Sequence, residues 1–238
     1  MRAVHFNGTA ARLVERAEPT LCDETVIVRV TKAGICRTDL ELTRGYMDFR
    51  GILGHEFVGQ VCEGPAEWRG QRVVGEINFA CGACPLCQVG LPRHCPSRQV
   101  MGIAGADGTF AEFVRVPIAN LHSVPPSVSD DAAVFCEPLA AAFEILSQID
   151  IDPGVECTVM GDGKLGLLVA QVLQSAGARV LPWATTRRSC PFSRSGTSKP
   201  GSPATGTARH GRWWSRPRAA PRASSAPWPR HFRAEPWC

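Results

Sequence analysis

The chain has 238 residues, enough for one large or two small domains whose cores need no disulfide support. Its formal net charge of +4 hides two unlike segments: residues 1–181 carry 15 Lys+Arg against 21 Asp+Glu, a net of −6, and residues 182–238 carry 11 against 1, a net of +10. No run of about 18 apolar residues exists, and no charged segment followed by an apolar run opens the chain, so neither a membrane-spanning helix nor export is expected. A cytoplasmic protein is expected. Eleven cysteines would suit an exported disulfide protein, but four of them cluster at metal-ligand spacing, so a reducing compartment with bound metal fits better.

Thr25 to Lys32 reads Thr-Val-Ile-Val-Arg-Val-Thr-Lys, a β-branched run that predicts a strand ending at Ala33-Gly34, with Cys36 just beyond it. Between Gly54 and Val74 short apolar runs are interrupted by Gly59, Gly64, Pro65 and Gly70, which predicts short strands and turns, and Gly108 to Val116 continues the pattern. The first 125 or so residues are therefore expected to form a β-rich domain with irregular loops. At Ser129-Asp130-Asp131 the pattern turns helical, and Glu137-Pro138 opens a helix through Leu146. Val155 to Met160 then reads as a strand, Leu165 to Ala176 as a helix stopped by Gly177, and Arg179-Val180-Leu181 as the start of a second strand. This is the beginning of an α/β domain, cut off in its third element. A lone unit of this kind is expected to expose Val159, Leu165, Leu168 and Val172.

Three constellations carry chemistry. Cys81-Gly-Ala-Cys84-Pro-Leu-Cys87 is followed by Cys95, a spacing that lets four thiolates curl around one zinc ion and fill its tetrahedral sphere, so the site is structural. His94 is an alternative fourth ligand, although Cys95 completes the set. Gly34-Ile-Cys36-Arg-Thr38-Asp39, with Gly54-His55-Glu56 downstream, offers a thiolate, an imidazole and a carboxylate, a mixed set that can leave one position open for water or substrate. Thr38 reads either as a proton-relay hydroxyl or as the cap of a helix starting near Asp39. Gly161-Asp-Gly163-Lys164-Leu165-Gly166 lies between a strand and a helix, where glycines permit a tight turn and close approach of a dinucleotide pyrophosphate to the helix N-terminus. The acid that should follow about 20 residues later to hold the ribose is missing, since after Asp162 the next acid is Glu235. Tyr46, Met47 and Phe49 read as pocket lining or as plain packing.

In these motifs, in this order, residues 1–181 resemble the zinc-containing medium-chain alcohol dehydrogenases, and Cys136-Glu137-Pro138-Leu139 is similar to the polyol, glucose and threonine dehydrogenase branches. The resemblance implies an α+β two-domain protein: a GroES-like catalytic domain at 1–137 and the start of a Rossmann domain at 138–181. It implies two zinc ions per chain and NAD or NADP as cofactor. Cys36, His55, Glu56 and Glu137 would hold the catalytic zinc, with Glu56 exchangeable and Cys136 the alternative to Glu137, and Thr38 would begin the proton relay. The implied activity is hydride transfer between an alcohol or polyol and NAD(P), in a homo-oligomer for the intact family member.

Residues 182–238 contain no Val, Ile or Leu, yet hold nine of the nineteen prolines and five of the six tryptophans. A disordered basic tail is expected. Choosing GC-rich codons for Pro182 to Gly201 and reading them two bases out of step yields helix-like apolar spacing, so we read the break as a frameshift near Leu181 that leaves the chain truncated and inactive. The competing reading is a non-catalytic zinc protein whose Arg- and Trp-rich tail binds nucleic acid. The acidic balance of residues 1–181 and the lack of a second CxxC pair speak against nucleic acid as the partner.

Overall fold

The computed structural model describes residues 1–183, all within one compact unit. Apart from the backbone of Pro182 and Trp183, the stretch 182–238 expected to be a disordered tail lies outside the described residues.

Eleven strands build the first part: β1 (Arg2–Phe6), β2 (Ala11–Glu15), β3 (Thr25–Gly34), β4 (Gly51–Ile52), β5 (Glu56–Glu63), β6 (Arg72–Gly75), β7 (Asn78–Phe79), β8 (Gln99–Met101), β9 (Gly105–Ala106), β10 (Phe113–Pro117) and β11 (Leu121–Ser123). Their central sheet has the order β10-β3-β5-β6-β11, flanked by the three-stranded sheets β2-β1-β4 and β7-β8-β9. The β-branched run of β3 buries Val26, Ile27 and Val28 in succession, which a regular two-residue alternation forbids. Register shifts against β5 fall at Ile27/Val28 and Val30/Lys32. Val26, Val28, Phe57, Val61, Val73 and Met101 meet in the main core.

Five helices complete the described residues: α1 (Arg37–Leu42), α2 (Pro85–Gln88), α3 (Asp130–Ala133), α4 (Cys136–Gln148) and α5 (Lys164–Ser175). The Ser129 hydroxyl caps α3 by accepting from the Ala132 amide. Strands β12 (Glu156–Met160) and β13 (Arg179–Trp183) pair in parallel on either side of α5 in the chain, as expected for the opening of an α/β domain. No helix among the described residues is long and apolar enough to cross a membrane.

Several expectations are corrected. Helix α1 starts at Arg37 with Cys36 as its cap residue, so Thr38 lies inside the helix and does not cap it. Val159 and Val172, expected to be exposed unless something covered them, are buried, and Ile145 and Leu146 of α4 pack on the small core of Val159, Ala170, Leu173 and Ala178. Leu168 is half-buried, and only Leu165 of the four stays exposed. Phe49 sits in a core with Phe6, Leu42 and Leu53 and is packing, whereas Tyr46 and Met47 are exposed. β13 also continues two residues past Leu181.

Candidate metal centres and cofactor turn

The four cysteines of the loop are brought together as the spacing predicts. Sγ of Cys84 and Cys87 lie 3.4 Å apart, and Sγ of Cys95 and Cys81 lie 3.5 Å apart, with all four sulfurs within 4.8 Å of one another. Four thiolates about 2.3 Å from a central zinc stand roughly 3.8 Å apart, so the cage fits the ion closely. The backbone amides of Ala83 and Cys84 point at Cys81 and bring its thiol down to about 6, which favours the thiolate that a metal requires. Partial desolvation and the neighbouring Cys84 push Cys87 up to about 12. Pro85 opens α2 directly after Cys84, and the turn of that helix carries Cys87 back toward the other sulfurs. His94 is exposed and outside the cage.

The second cluster is set by strand register. Gly34, the last residue of β3, pairs with Glu56, the first residue of β5, so Cys36 just beyond one strand end meets His55 and Glu56 at the start of the other. Their ligand atoms all lie within 4.8 Å of one another. His55 and Glu56 are buried, and Cys36 is half-buried. A Cβ on Gly34 would stand 2.3 Å from Glu56 Oε2, so the missing side chain is what admits the carboxylate.

Asp39 was quoted in the motif but not named as a site residue, and it organises the cluster. Its Oδ2 accepts the Cys36 amide at 2.7 Å, and its Oδ1 lies 3.2 Å from His55 Nδ1. Neither Oδ1 nor Nδ1 has another partner. With Nδ1 set against this carboxylate, Nε2 is the ring nitrogen that could ligate a metal, an arrangement common behind metal-bound histidines. Burial pulls the imidazole pKa down, but Asp39, Cys36 and Glu137 together outweigh it and raise it to about 9. The sequence signal was an acid three residues after a helix-capping Cys36.

Thr38 is half-buried, with its hydroxyl 3.6 Å from Cys36 Sγ. Glu137, in the first turn of α4, faces the cluster from outside the donor set: burial raises its pKa, and the charges of His55 and Glu56 act on it in opposite directions. Cys136 is exposed.

The glycine turn stands where it was expected. Gly161 has φ +115°, and a Cβ on Gly166 would meet the Gly161 carbonyl oxygen at 2.3 Å, so the chain can turn this tightly from β12 into α5 only without that side chain. Gly163 is the cap residue of α5, Lys164 its first residue, and Leu165 is exposed beside it. Lys164 reaches away from the turn: its Nζ lies 2.5 Å from both carboxylate oxygens of Glu56 and 3.3 Å from the Ile35 carbonyl oxygen. A separate cleft of about 900 Å³, lined by Phe79, Arg115, Asn120 and others, contains none of Cys36, His55 or Glu56, so donor chemistry rather than cavity size marks the site.

Residues 22–126 match the alcohol dehydrogenase GroES-like domain. Over the matched part, the chain is similar to the zinc-containing medium-chain alcohol dehydrogenases. Among its relatives, sorbitol dehydrogenase of Halalkalibacterium halodurans is 34% identical over 188 residues, covering 76% of this chain and 54% of that protein. Among solved structures, alcohol dehydrogenase TADH from Thermus sp. ATN1 superposes with a TM-score of 0.70 at 35% identity, over 76% of this chain and 57% of that one. The RspB alcohol dehydrogenase of Escherichia coli CFT073, solved with NADH, gives 0.67 at 28% identity over 79% and 64%. The chain spans about half the length of the curated relatives it matches.

Proposed function

We propose that the described residues are the catalytic part of a zinc-dependent oxidoreductase that transfers hydride between an alcohol or polyol and NAD(P). The observation that carries this reading is the donor set of half-buried Cys36 with buried His55 and Glu56, which meets the glycine turn through Lys164. The donors fit zinc: one thiolate, one imidazole and one carboxylate leave a position open. Zinc held there would supply a Lewis acid that eases loss of the alcohol proton, and NAD(P) would accept the hydride.

The chain's own residues divide the remaining work. Asp39 holds His55 by Nδ1 and Cys36 by its amide, which presents Nε2 and Sγ to one point. Thr38 stands beside Cys36 and would pass on the alcohol proton. Glu137, within reach of the charges of His55 and Glu56, would complete the metal site directly or through water. Gly161, Gly163, Lys164, Leu165 and Gly166 would bring the turn and the amides of α5 to the pyrophosphate. Cys81, Cys84, Cys87 and Cys95 would hold a second, structural zinc.

The domain assignment of 1–137 as catalytic and 138–181 as the beginning of a Rossmann domain belongs to this reading, as do cytoplasmic location, a homo-oligomeric intact form and the frameshift near Leu181. The nucleic-acid alternative rests on the basic tail, which lies outside the described residues.

Elemental analysis tests the metal reading. Near two zinc ions per chain are expected in the folded protein and near one in His55→Ala. A folded wild-type chain without zinc would overturn it.

A further inference from the structure

We infer that Lys164 is a positioning residue for Glu56, and that it competes with the metal of the Cys36, His55 and Glu56 set for the same carboxylate. The inference rests on the reading of that set as a metal site.

Three parts of the chain are shaped around one carboxylate. β3 ends on Gly34, whose absent Cβ makes room for Oε2. β5 begins on Glu56 itself, and α5 begins on Lys164. The Glu56 side chain is only 2% exposed, so its charge needs a partner within the protein, and Lys164, itself 32% exposed, provides it at 2.5 Å. Both carboxylate oxygens are engaged by the one ammonium, and a carboxylate oxygen of Glu56 also lies within 4.8 Å of the Cys36 and His55 ligand atoms. A metal ion arriving at that set therefore meets a carboxylate already neutralised and a positive charge close by.

A lysine suits this task, because its charge is a compact ammonium on a flexible stem that can withdraw toward solvent without unfolding anything. Its backbone belongs to the first turn of α5, directly after the glycine turn, while its Nζ also touches the Ile35 carbonyl oxygen next to Cys36. The strength of metal binding at the mixed site is thus set from the turn that the proposed function gives to the cofactor. The side chain of Lys164 thus acts on the metal ligand, while its backbone belongs to the turn expected to meet the cofactor.

Cobalt(II) is the probe. The full 238-residue chain is given one equivalent of zinc, which the four-thiolate cage takes first, and is then titrated with Co²⁺ while its visible d–d absorption is followed. Lys164→Met should tighten Co²⁺ about tenfold and change the band shape as Glu56 enters the coordination sphere, whereas Lys164→Arg, which keeps the charge, should stay within about twofold of wild type. In a Glu56→Gln background the effect of Lys164→Met should shrink to roughly threefold or less, since only charge repulsion remains. Lys164→Gln carries the same expectation as Lys164→Met and serves if the methionine variant is not recovered folded. An unchanged or weaker affinity in both neutral variants, or an equal gain with and without Glu56, would overturn the inference while leaving the metal site intact. If no variant bound a second metal equivalent at all, the metal reading would fail and this inference with it.

Discussion

Asp39 shows how one buried side chain can set two ligands. Its carboxylate bonds the Cys36 amide and stands against His55 Nδ1, with the whole side chain shut away from water. Asp39→Asn keeps the shape but removes the charge behind His55, so we expect metal affinity at the mixed site to fall about 10- to 100-fold, the usual cost of losing such an outer partner. Competition with a chelator, read by metal analysis, measures it, and an unchanged affinity would show that Asp39 serves only the helix cap. Part of this role was legible, because an acid three residues after Cys36 matches a helix-capping pattern. The contact with His55 was not, since it depends on β3 and β5 pairing so that Gly34 faces Glu56. The Lys164–Glu56 pair was hidden for the same reason: 108 positions separate the two residues.

At the scale of elements, what is local in sequence was legible and what depends on packing was not. The cysteine loop spans few residues, so its spacing alone predicted the cage, and its sulfurs converge accordingly. A closed four-thiolate site contributes to folding directly and an open one less, so Cys84→Ser should lower the yield of folded protein far more than Cys36→Ser. Equal yields, measured by the soluble fraction and by zinc content, would contradict the division into structural and catalytic sites. That Val159 would need a cover was legible; that Ile145 and Leu146 of α4 supply part of it was not, because their meeting depends on packing.

Helix α3 offers a pH test. Asp130 accepts hydrogen bonds from Thr31 and Arg72, and these hold its carboxyl below the ordinary range. A pKa lower in the folded than in the unfolded state stabilises fully above the unfolded value near 4 and is lost as the pH falls through the folded value. The wild type should therefore exceed Asp130→Asn in stability by about 1 kcal/mol at pH 7, a modest figure because the pair is partly solvated, and the gap should close below about pH 4. Urea unfolding of both proteins across that range checks it, and comparing the two cancels any acid loss of metal they share. A gap that persisted at pH 3 would mean that Asp130 acts through shape rather than charge.

For the whole molecule, the decisive quantity is how much parallel sheet stands behind the glycine turn. Hydride transfer needs the nicotinamide and the alcohol carbon held about 3–3.5 Å apart, and in this kind of fold the cofactor lies across the carboxyl edge of a broad parallel sheet. The described residues provide two such strands, β12 and β13, with α4 and α5 beside them. Met160 at the end of β12 is 80% exposed and Leu181 in β13 is 51% exposed, so the apolar surface that further strands would cover is open. No acid follows Asp162 before Glu235, which leaves the ribose hydroxyls without the carboxylate that ordinarily holds them. We therefore expect the purified 238-residue chain to reduce neither NAD nor NADP with sorbitol or simple secondary alcohols, even with both metal sites filled. A version whose reading frame is restored after Leu181 should gain that activity and lose it again on His55→Ala. Zinc content and turnover would then separate, because the proposed metal ligands all lie within residues 36–137 whereas the proposed frameshift falls after them. Turnover by the 238-residue chain itself would show that two strands and one glycine turn suffice to hold the nicotinamide, and the frameshift reading would have to be given up.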